Sequence, residues 1–360
     1  MARPSTAPAW RWPRLKETTR RRTLAGWAAT GIIAGSILAS VGACHAGNGA
    51  ADDPLDPGRP GRLVRLADGR RINFRCTGAG APTVLLESGW AASSTLWYKV
   101  QPLAARHQRV CSYDRAGYGF SDPGPMPRDG AAVTRDLSQA LDAAGIKGPL
   151  VMVGHSAGGL YVRMFADARP RDVVGMVLVD PSVPHQDERF EAVFGGHGDP
   201  LAGMKARAAK CLAAAKAGAL PSLDPALAAC EARASASTAE KAQATAASTY
   251  ETQLSELDTL FTTTSDEVDA GRATLGDMPL VVLTADGDYA SASPRAREAL
   301  NAVWGSLHRQ IASLSLRGSA QLVAGTSHMM MFDRPDAIVQ AIEEVSAAAS
   351  KPGTGNPAGS

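Results

Sequence analysis

The chain has 360 residues, of which 45% are hydrophobic and 20% charged, with a formal net charge of +2. This is an ordinary globular composition, with length for one large α/β domain and an inserted one. So small a net charge argues against nucleic acid or another polyanion as partner. Much of the basic excess also sits at the N-terminus, where Arg3, Arg11, Arg14, Lys16, Arg20, Arg21 and Arg22 face only Glu17.

After Arg20-Arg21-Arg22, the stretch from Leu24 to Ala43 is apolar or small throughout. A basic flank before an apolar run reads as an export signal. Thr19 to Leu24 loosely resembles a twin-arginine signal without its usual aromatic. Val41-Gly42-Ala43-Cys44 resembles a bacterial lipobox, whose cysteine would be lipidated and become the mature N-terminus. The alternative is an uncleaved signal-anchor helix, since about 20 residues can span a bilayer. Both place the body outside the cytoplasm, as a lipoprotein or anchored protein on the outer face of a bacterial membrane, or otherwise secreted. Residues 1–45 are therefore expected to be signal or anchor, and the Gly-, Pro- and Asp-rich residues 46–61 a flexible tether. Membrane contact is expected through this N-terminus only.

Five cysteines less Cys44 leave an even number for an oxidising compartment. The predicted pairs are Cys76–Cys111, on two putative strands, and Cys211–Cys230, in a helical region; the alternative is four buried thiols. None has the paired C-x-x-C spacing of a zinc or redox site.

In chain order, Leu63 to Leu66 and Ile72 to Cys76 read as short strands around Asp68-Gly69, and Thr83 to Leu86 as a buried strand. A helix is expected from Trp97 to Ala105 and a strand from Arg109 to Tyr113. The latter ends in Asp114-Arg115-Ala116-Gly117-Tyr118-Gly119-Phe120-Ser121. An amphipathic helix covers Ala131 to Ala144 and stops at Gly145. Strands follow at Leu150 to Val153 and Val173 to Val179. Residues 183–276 are Ala-rich and periodic with few β-branched clusters, so several helices are expected. Strands resume at Leu280 to Thr284 and at Gln321 to Ala324, with helices from Ser293 to Ser313 and Ile338 to Ala349. Residues 350–360 form a polar Gly/Pro tail, expected to be disordered. Strands alternating with helices imply a mostly parallel, eight-stranded sheet covered on both faces. The core then comprises residues 62–182 and 277–349, and the helical block 183–276 sits where a lid would be inserted.

Gly154-His155-Ser156-Ala157-Gly158 matches G-x-S-x-G between an apolar β-branched run and a helical stretch. Strand, sharp turn and helix make a nucleophile elbow, in which a strained serine needs small neighbours such as Gly154 and Gly158. The alternative is a Gly-rich β–α turn with no chemistry. A serine nucleophile needs a base, and the base an orienting acid. Of seven histidines, His328 follows the last strand, in Gly325-Thr326-Ser327-His328, on the sheet edge that carries Ser156. His155 lies inside the elbow and reads as a neighbour of the site. His45 falls in the tether; His107, His185, His197 and His308 read as surface or lid residues. The strand Leu280 to Thr284 ends in Ala285-Asp286-Gly287-Asp288, and Asp180 follows the strand before it.

Elbow, Asp-Arg-Ala-Gly-Tyr-Gly-Phe-Ser loop, late aspartate and Gly-x-Ser-His together resemble the α/β-hydrolase fold superfamily from about residue 62 to 349. The resemblance implies the order Ser, Asp, His. It places the acid at Asp288 by the usual offset, with Asp180 the alternative location and Asp286 a third candidate. It implies an oxyanion hole from the backbone N–H groups of Ala157 and Trp90. Many members carry His-Gly after the third strand; here Glu87-Ser88-Gly89 keeps the glycine and loses the histidine. The resemblance further implies acyl transfer to water on a small ester-like substrate, most simply a carboxylester, with neither cofactor nor metal. Haloalkane dehalogenases and epoxide hydrolases share the fold but attack with an aspartate, which Ser156 argues against. Alternatives are other serine chemistry (aminopeptidase, thioesterase, lactonase, cofactor-free haloperoxidase) or a non-catalytic binding protein. An aminopeptidase would need acidic lid residues; Glu231, Glu240, Glu251 and Glu256 are available, but on helices such residues usually form a solvated face.

Overall fold

A computed structural model describes residues 53–194, 201–232, 236–287 and 293–350. Its strands are β1 (Arg62–Arg65), β2 (Arg71–Thr77), β3 (Thr83–Glu87), β4 (Val110–Tyr113), β5 (Leu150–His155), β6 (Val173–Val179), β7 (Leu280–Ala285) and β8 (Gly318–Val323). Its helices are α1 (Gln101–Ala104), α2 (Gly130–Ala144), α3 (Gly158–Ala168), α4 (Gln186–Phe194), α5 (Ala202–Lys216), α6 (Thr238–Thr245), α7 (Ala247–Thr259), α8 (Thr263–Asp269), α9 (Pro294–Ala312), α10 (Met330–Asp333) and α11 (Pro335–Ala349).

The eight strands form one sheet in the order β1-β2-β4-β3-β5-β6-β7-β8. β1 and β2 make an antiparallel hairpin, β2 runs antiparallel to β4, and the rest of the sheet is parallel. Parallel neighbours need crossovers, and helices supply them on both faces. The period of two along each strand sorts side chains between two cores. Leu85, Met152, Leu178 and Val282 pack against α2, α3 and α9, whereas Leu86, Val153, Val177 and Leu283 pack against α1 and α11. Strands covered on both faces have no polar side, which is why β3, β5 and β7 are apolar nearly throughout and buried at every position. Each such Leu or Val side chain stabilises by about 1.5–3 kcal/mol.

Local signals set the helix ends. Asp129 caps α2 by accepting from the Ala132 N–H at 2.8 Å, and Gly145 ends it at φ 67°, a left-handed conformation that costs glycine little. The expected helix from Trp97 to Ala105 is instead a 3₁₀ turn (Ser94–Trp97) followed by the single turn α1. Pro102 suits only the first turn of a helix, so α1 starts beside it. β8 begins at Gly318, earlier than its apolar residues suggest. As an edge strand it buries only Val323, and Leu322 is exposed.

Between β6 and β7 the chain inserts α4 to α8, with a 3₁₀ segment at Pro225–Cys230. Cys211 on α5 is bonded to Cys230, and Cys76 to Cys111, which stand opposite each other on β2 and β4. Residues 53–61, expected to be part of a flexible tether, are held to the body: the Arg75 guanidinium donates to the carbonyls of Pro54, Asp56 and Arg59. The expected export signal, Cys44 and the tail 351–360 lie outside the described residues. Among the described residues, no helix is long and apolar enough to cross a membrane.

Candidate active site

Ser156 joins β5 to α3 at φ 53°, in the left-handed region that non-glycine residues enter at a cost of about 1–3 kcal/mol. Its backbone is held in that pose. The Ser156 N–H donates to Val179 O at 3.2 Å, and its carbonyl accepts from Gly159 N at 2.8 Å and Ser182 N at 2.9 Å. The two motif glycines have steric reasons. A Cβ at Gly154 would lie 2.6 Å from Gly158 O, and one at Gly158 would lie 2.8 Å from the carbonyls of Glu87 and Ser88. Ala157 stands at the N-cap of α3, where backbone N–H groups and the helix dipole favour negative charge.

His328 lies between β8 and α10. Its Nδ1–H donates to Asp180 Oδ2 at 2.6 Å. Asp180, fully buried at the end of β6, uses its other oxygen to accept from Ala285 N at 3.0 Å and Trp304 Nε1 at 2.7 Å. Of the two candidate aspartates among the described residues, Asp180 is the one whose carboxylate is seen to meet His328. Asp286 accepts from Gly325 N at 2.7 Å and ties the β7 end to the loop after β8. Asp288, the first expectation, lies outside the described residues. The reason for Asp180 is topological: β6 is the strand between the elbow strand β5 and β7, so its end faces both the elbow and the β8 loop.

His155 links Ser156 to the histidine loop. It is buried, its Nε2–H donates to the His328 carbonyl at 2.9 Å, and the two rings lie 4.6 Å apart between centroids. Burial, together with repulsion from His328, pushes its pKa down to about 3. His155 is therefore neutral near pH 7, with Nε2 already engaged, and braces the site. His308 departs from its expected surface position. It is buried on α9, where Nε2 meets Pro181 O at 3.0 Å and Nδ1 meets Thr284 Oγ1 at 2.8 Å. It thereby supports the Asp180-Pro181 turn. His107 is exposed beside Glu343, and His185 faces Asp266 and Asp269 of the insertion. His45 and His197 lie outside the described residues.

The loop after β3 passes close to the elbow. A Cβ at Gly89 would sit 3.0 Å from both Ser156 Cβ and His155 Nδ1, so glycine permits this approach. The Trp90 indole N–H donates to Gln253 O of α7 at 3.0 Å, which turns the ring into the insertion. Behind the loop is a buried charge cluster that sequence reading missed. Arg115 pairs with Glu87 at 2.7 Å and with Glu256 at 2.9 Å, and Tyr118 donates to Glu256 at 2.8 Å. Burial pushes the Glu87 carboxyl up, even with Arg115 opposing it. The only sequence signals were Arg115 in its glycine-rich motif and the unusual glutamate at 87. Glu256, read as a solvated helix residue, is 1% exposed. Its three fellows have partners too: Glu231 with Ser222 N, Glu240 with Ser237 in a capping box, and Glu251 with Lys216. Among the described residues, no cluster of three or more His, Cys, Asp or Glu side chains could hold a metal ion.

Ser156 thus sits on a strained turn at the N-terminus of α3, and His328, whose ring lies 4.6 Å from that of neighbouring His155, is held by a buried carboxylate. A superfamily protein of Gibberella zeae, described as an AB hydrolase, is 34% identical over 103 residues, covering 28% of this chain and 32% of that protein. The chain spans only 18–42% of the length of the first curated relatives it matches. Among solved structures, an epoxide hydrolase, CorEH, superposes with a TM-score of 0.53 at 17% identity, covering 79% of this chain and 98% of that one. A thermophilic esterase from Thermogutta terrifontis superposes with a TM-score of 0.50 at 18% identity, covering 81% and 99%. At these identities the likeness is one of fold. The family match itself runs from residue 84 to 341, across β3, the elbow, the insertion and the histidine loop; the chain belongs to the alpha/beta hydrolase family.

Proposed function

We propose that the chain is a serine hydrolase that cleaves carboxylic esters through an acyl-enzyme on Ser156. The observation that carries this reading is the 2.6 Å bond from His328 Nδ1–H to the buried Asp180 carboxylate. That bond selects the tautomer whose Nε2 lone pair can accept the Ser156 hydroxyl proton. The serine oxygen adds to the ester carbonyl, and the carbonyl electrons move onto oxygen. The backbone N–H groups of Trp90 and Ala157 hold that oxyanion. Collapse expels the alcohol, protonated by the His328 imidazolium, and leaves an ester on Ser156. Water repeats the sequence, losing its proton to His328, and releases the acid.

Substrate is expected to enter beneath the helical insertion of residues 183–276, which acts as a lid. The engaged glutamates of the insertion leave no carboxylate among these four for an amino terminus, which favours an ester over an aminopeptidase substrate. The two disulfides suit an oxidising compartment. We infer that residues 1–45 direct export, with Cys44 as the lipidation site. The test is labelling with a fluorophosphonate followed by peptide mapping. Label on Ser156 that is lost in Ser156→Ala and His328→Ala is the expected result. A folded protein that neither labels nor hydrolyses p-nitrophenyl esters overturns the reading. Exported protein carrying no lipid in a Cys44→Ala comparison overturns the anchoring part.

A further inference from the structure

The cluster behind the oxyanion loop has a geometry that simple charge burial does not require. Arg115 is 3% exposed, and its guanidinium donates at five points. Nε donates to Glu256 Oε1 at 2.9 Å. Nη1 donates to Glu87 Oε1 at 2.7 Å and to the Ser88 carbonyl at 2.6 Å. Nη2 donates to the Gly89 carbonyl at 2.9 Å and to Glu256 Oε2 at 3.1 Å. A guanidinium has five N–H groups, so all are engaged. Three of the five bonds fall on consecutive residues, Glu87, Ser88 and Gly89.

The bond to Gly89 O bears on catalysis. The Gly89–Trp90 peptide is trans, since among the described residues every cis bond precedes a proline. In a trans peptide the C=O and the N–H point in opposite directions. With Gly89 O aimed at Arg115, the Trp90 N–H must face away from the guanidinium. Were this peptide to flip, the carbonyl oxygen would replace the amide as the group offered to the oxyanion, turning attraction into repulsion. Gly89 lacks a Cβ, so its own sterics do little to oppose a flip. Arg115 opposes it instead.

The other end of the guanidinium is held by the insertion. Glu256 lies on α7, and both its oxygens meet Arg115. The same helix accepts the Trp90 indole N–H at Gln253 O, and Arg207 of α5 lies 5.6 Å over the Trp90 ring. The insertion therefore reaches the oxyanion loop from both sides of the Gly89–Trp90 peptide.

We propose that Arg115 is a positioning residue that orients the Trp90 amide for the oxyanion, and that α7 keeps it in register through Glu256. The proposal rests on the serine-hydrolase reading above. Seating of the insertion thus completes the oxyanion hole, and substrates that disturb α7 lose rate as well as affinity.

The test compares wild type, Arg115→Lys, Glu256→Gln and the double variant as full-length proteins. Lysine keeps the charge that Glu87 and Glu256 need, but its three N–H groups cannot reproduce five bonds. Glu256→Gln retains shape and leaves Arg115 its loop contacts, so it keeps the test open if Arg115→Lys does not fold. Fluorophosphonate titration counts competent sites, and kcat and KM for p-nitrophenyl butyrate are expressed per site. Inhibition by a trifluoromethyl ketone, whose serine adduct carries an oxyanion, is measured in parallel. The expected result for Arg115→Lys is a kcat lower by about 10- to 100-fold with KM within about 2-fold, and a matching loss of ketone affinity. Glu256→Gln should show a smaller loss of the same kind, and the double variant should be no worse than Arg115→Lys, because the two act through one bond network. Per-site kcat and ketone affinity near wild type in both single variants would overturn the proposal, as would a loss confined to melting temperature or to KM. Wild-type protein whose Ser156 does not label would remove the serine-hydrolase reading, and the proposal with it, before any variant is compared.

Discussion

Replacing Asp180 by asparagine changes one atom at the centre of the site. The retained oxygen can still accept from Ala285 N and Trp304 Nε1, now at 3.0 and 2.7 Å. The new amide nitrogen then occupies the place of Oδ2, 2.6 Å from His328 Nδ1. Two N–H donors cannot face each other there, so His328 must move its proton to Nε2. That nitrogen is the one required to take the Ser156 proton, and it can no longer accept. A wrong-tautomer base costs about 10⁴ in kcat when the geometry is otherwise kept. The fold should keep all three hydrogen bonds of this side chain and lose only their charge assistance, about 1 kcal/mol each. Asp288→Asn, at the other position expected for the acid, is the comparison and should change kcat by less than about 2-fold when Asp180 is the orienting acid. The assay is p-nitrophenyl ester hydrolysis per folded site, with folding monitored by thermal melting. Retention of more than about a tenth of kcat/KM in Asp180→Asn, or a loss of that size in Asp288→Asn at unchanged melting temperature, would refute the assignment of Asp180 as the orienting acid.

Burial holds the His155 pKa at about 3, well below its ordinary value of 6.5, so the unfolded chain binds the extra proton across that interval. Stability should be fully present above pH 6.5 and fall by up to about 1.4 kcal/mol per pH unit as pH drops toward 3; urea titrations at stepped pH should show a shallower slope in His155→Gln. Gly158→Ala would drive a Cβ to 2.8 Å from the carbonyls of Glu87 and Ser88, and overpacking of this kind costs about 1–3 kcal/mol. An unchanged denaturation midpoint would contradict that close approach. Opening the Cys211–Cys230 bridge by paired serine substitution releases a crosslink spanning 19 residues, worth about 3 kcal/mol for a loop of this size. Limited proteolysis should then cut first within residues 201–232, while cleavage across the sheet stays slow; equal rates throughout would count against a bridge that acts on the insertion alone.

The elbow was legible because everything it needs is adjacent in sequence. A β-branched strand, a serine with glycines two residues either side and a helix define the turn locally, and the Cβ contacts at Gly154 and Gly158 are short for that reason. The alternation of strand and helix likewise carried the sheet, since strands buried on both faces announce themselves as apolar runs. His328 could be found from its place just after the last strand. The carboxylate that meets His328 could not be chosen that way. Asp180, Asp286 and Asp288 all follow strands that end on one sheet edge, and sequence position cannot say which strand end the β8 loop approaches. That depends on strand order, which sets β6 between the elbow strand and β7. The polar residues decided only by tertiary structure share one feature. Arg115 meets Glu256 across 141 residues, and His308 meets Pro181 across 127. A charged or polar side chain reads as surface unless its partner is visible, because burial without one is prohibitively costly. What the sequence determined by itself was the local chemistry of a serine on a strained turn. The tertiary structure decided which distant carboxylate, guanidinium and imidazole surround it, because only the folded sheet and its insertion bring those partners within hydrogen-bond range.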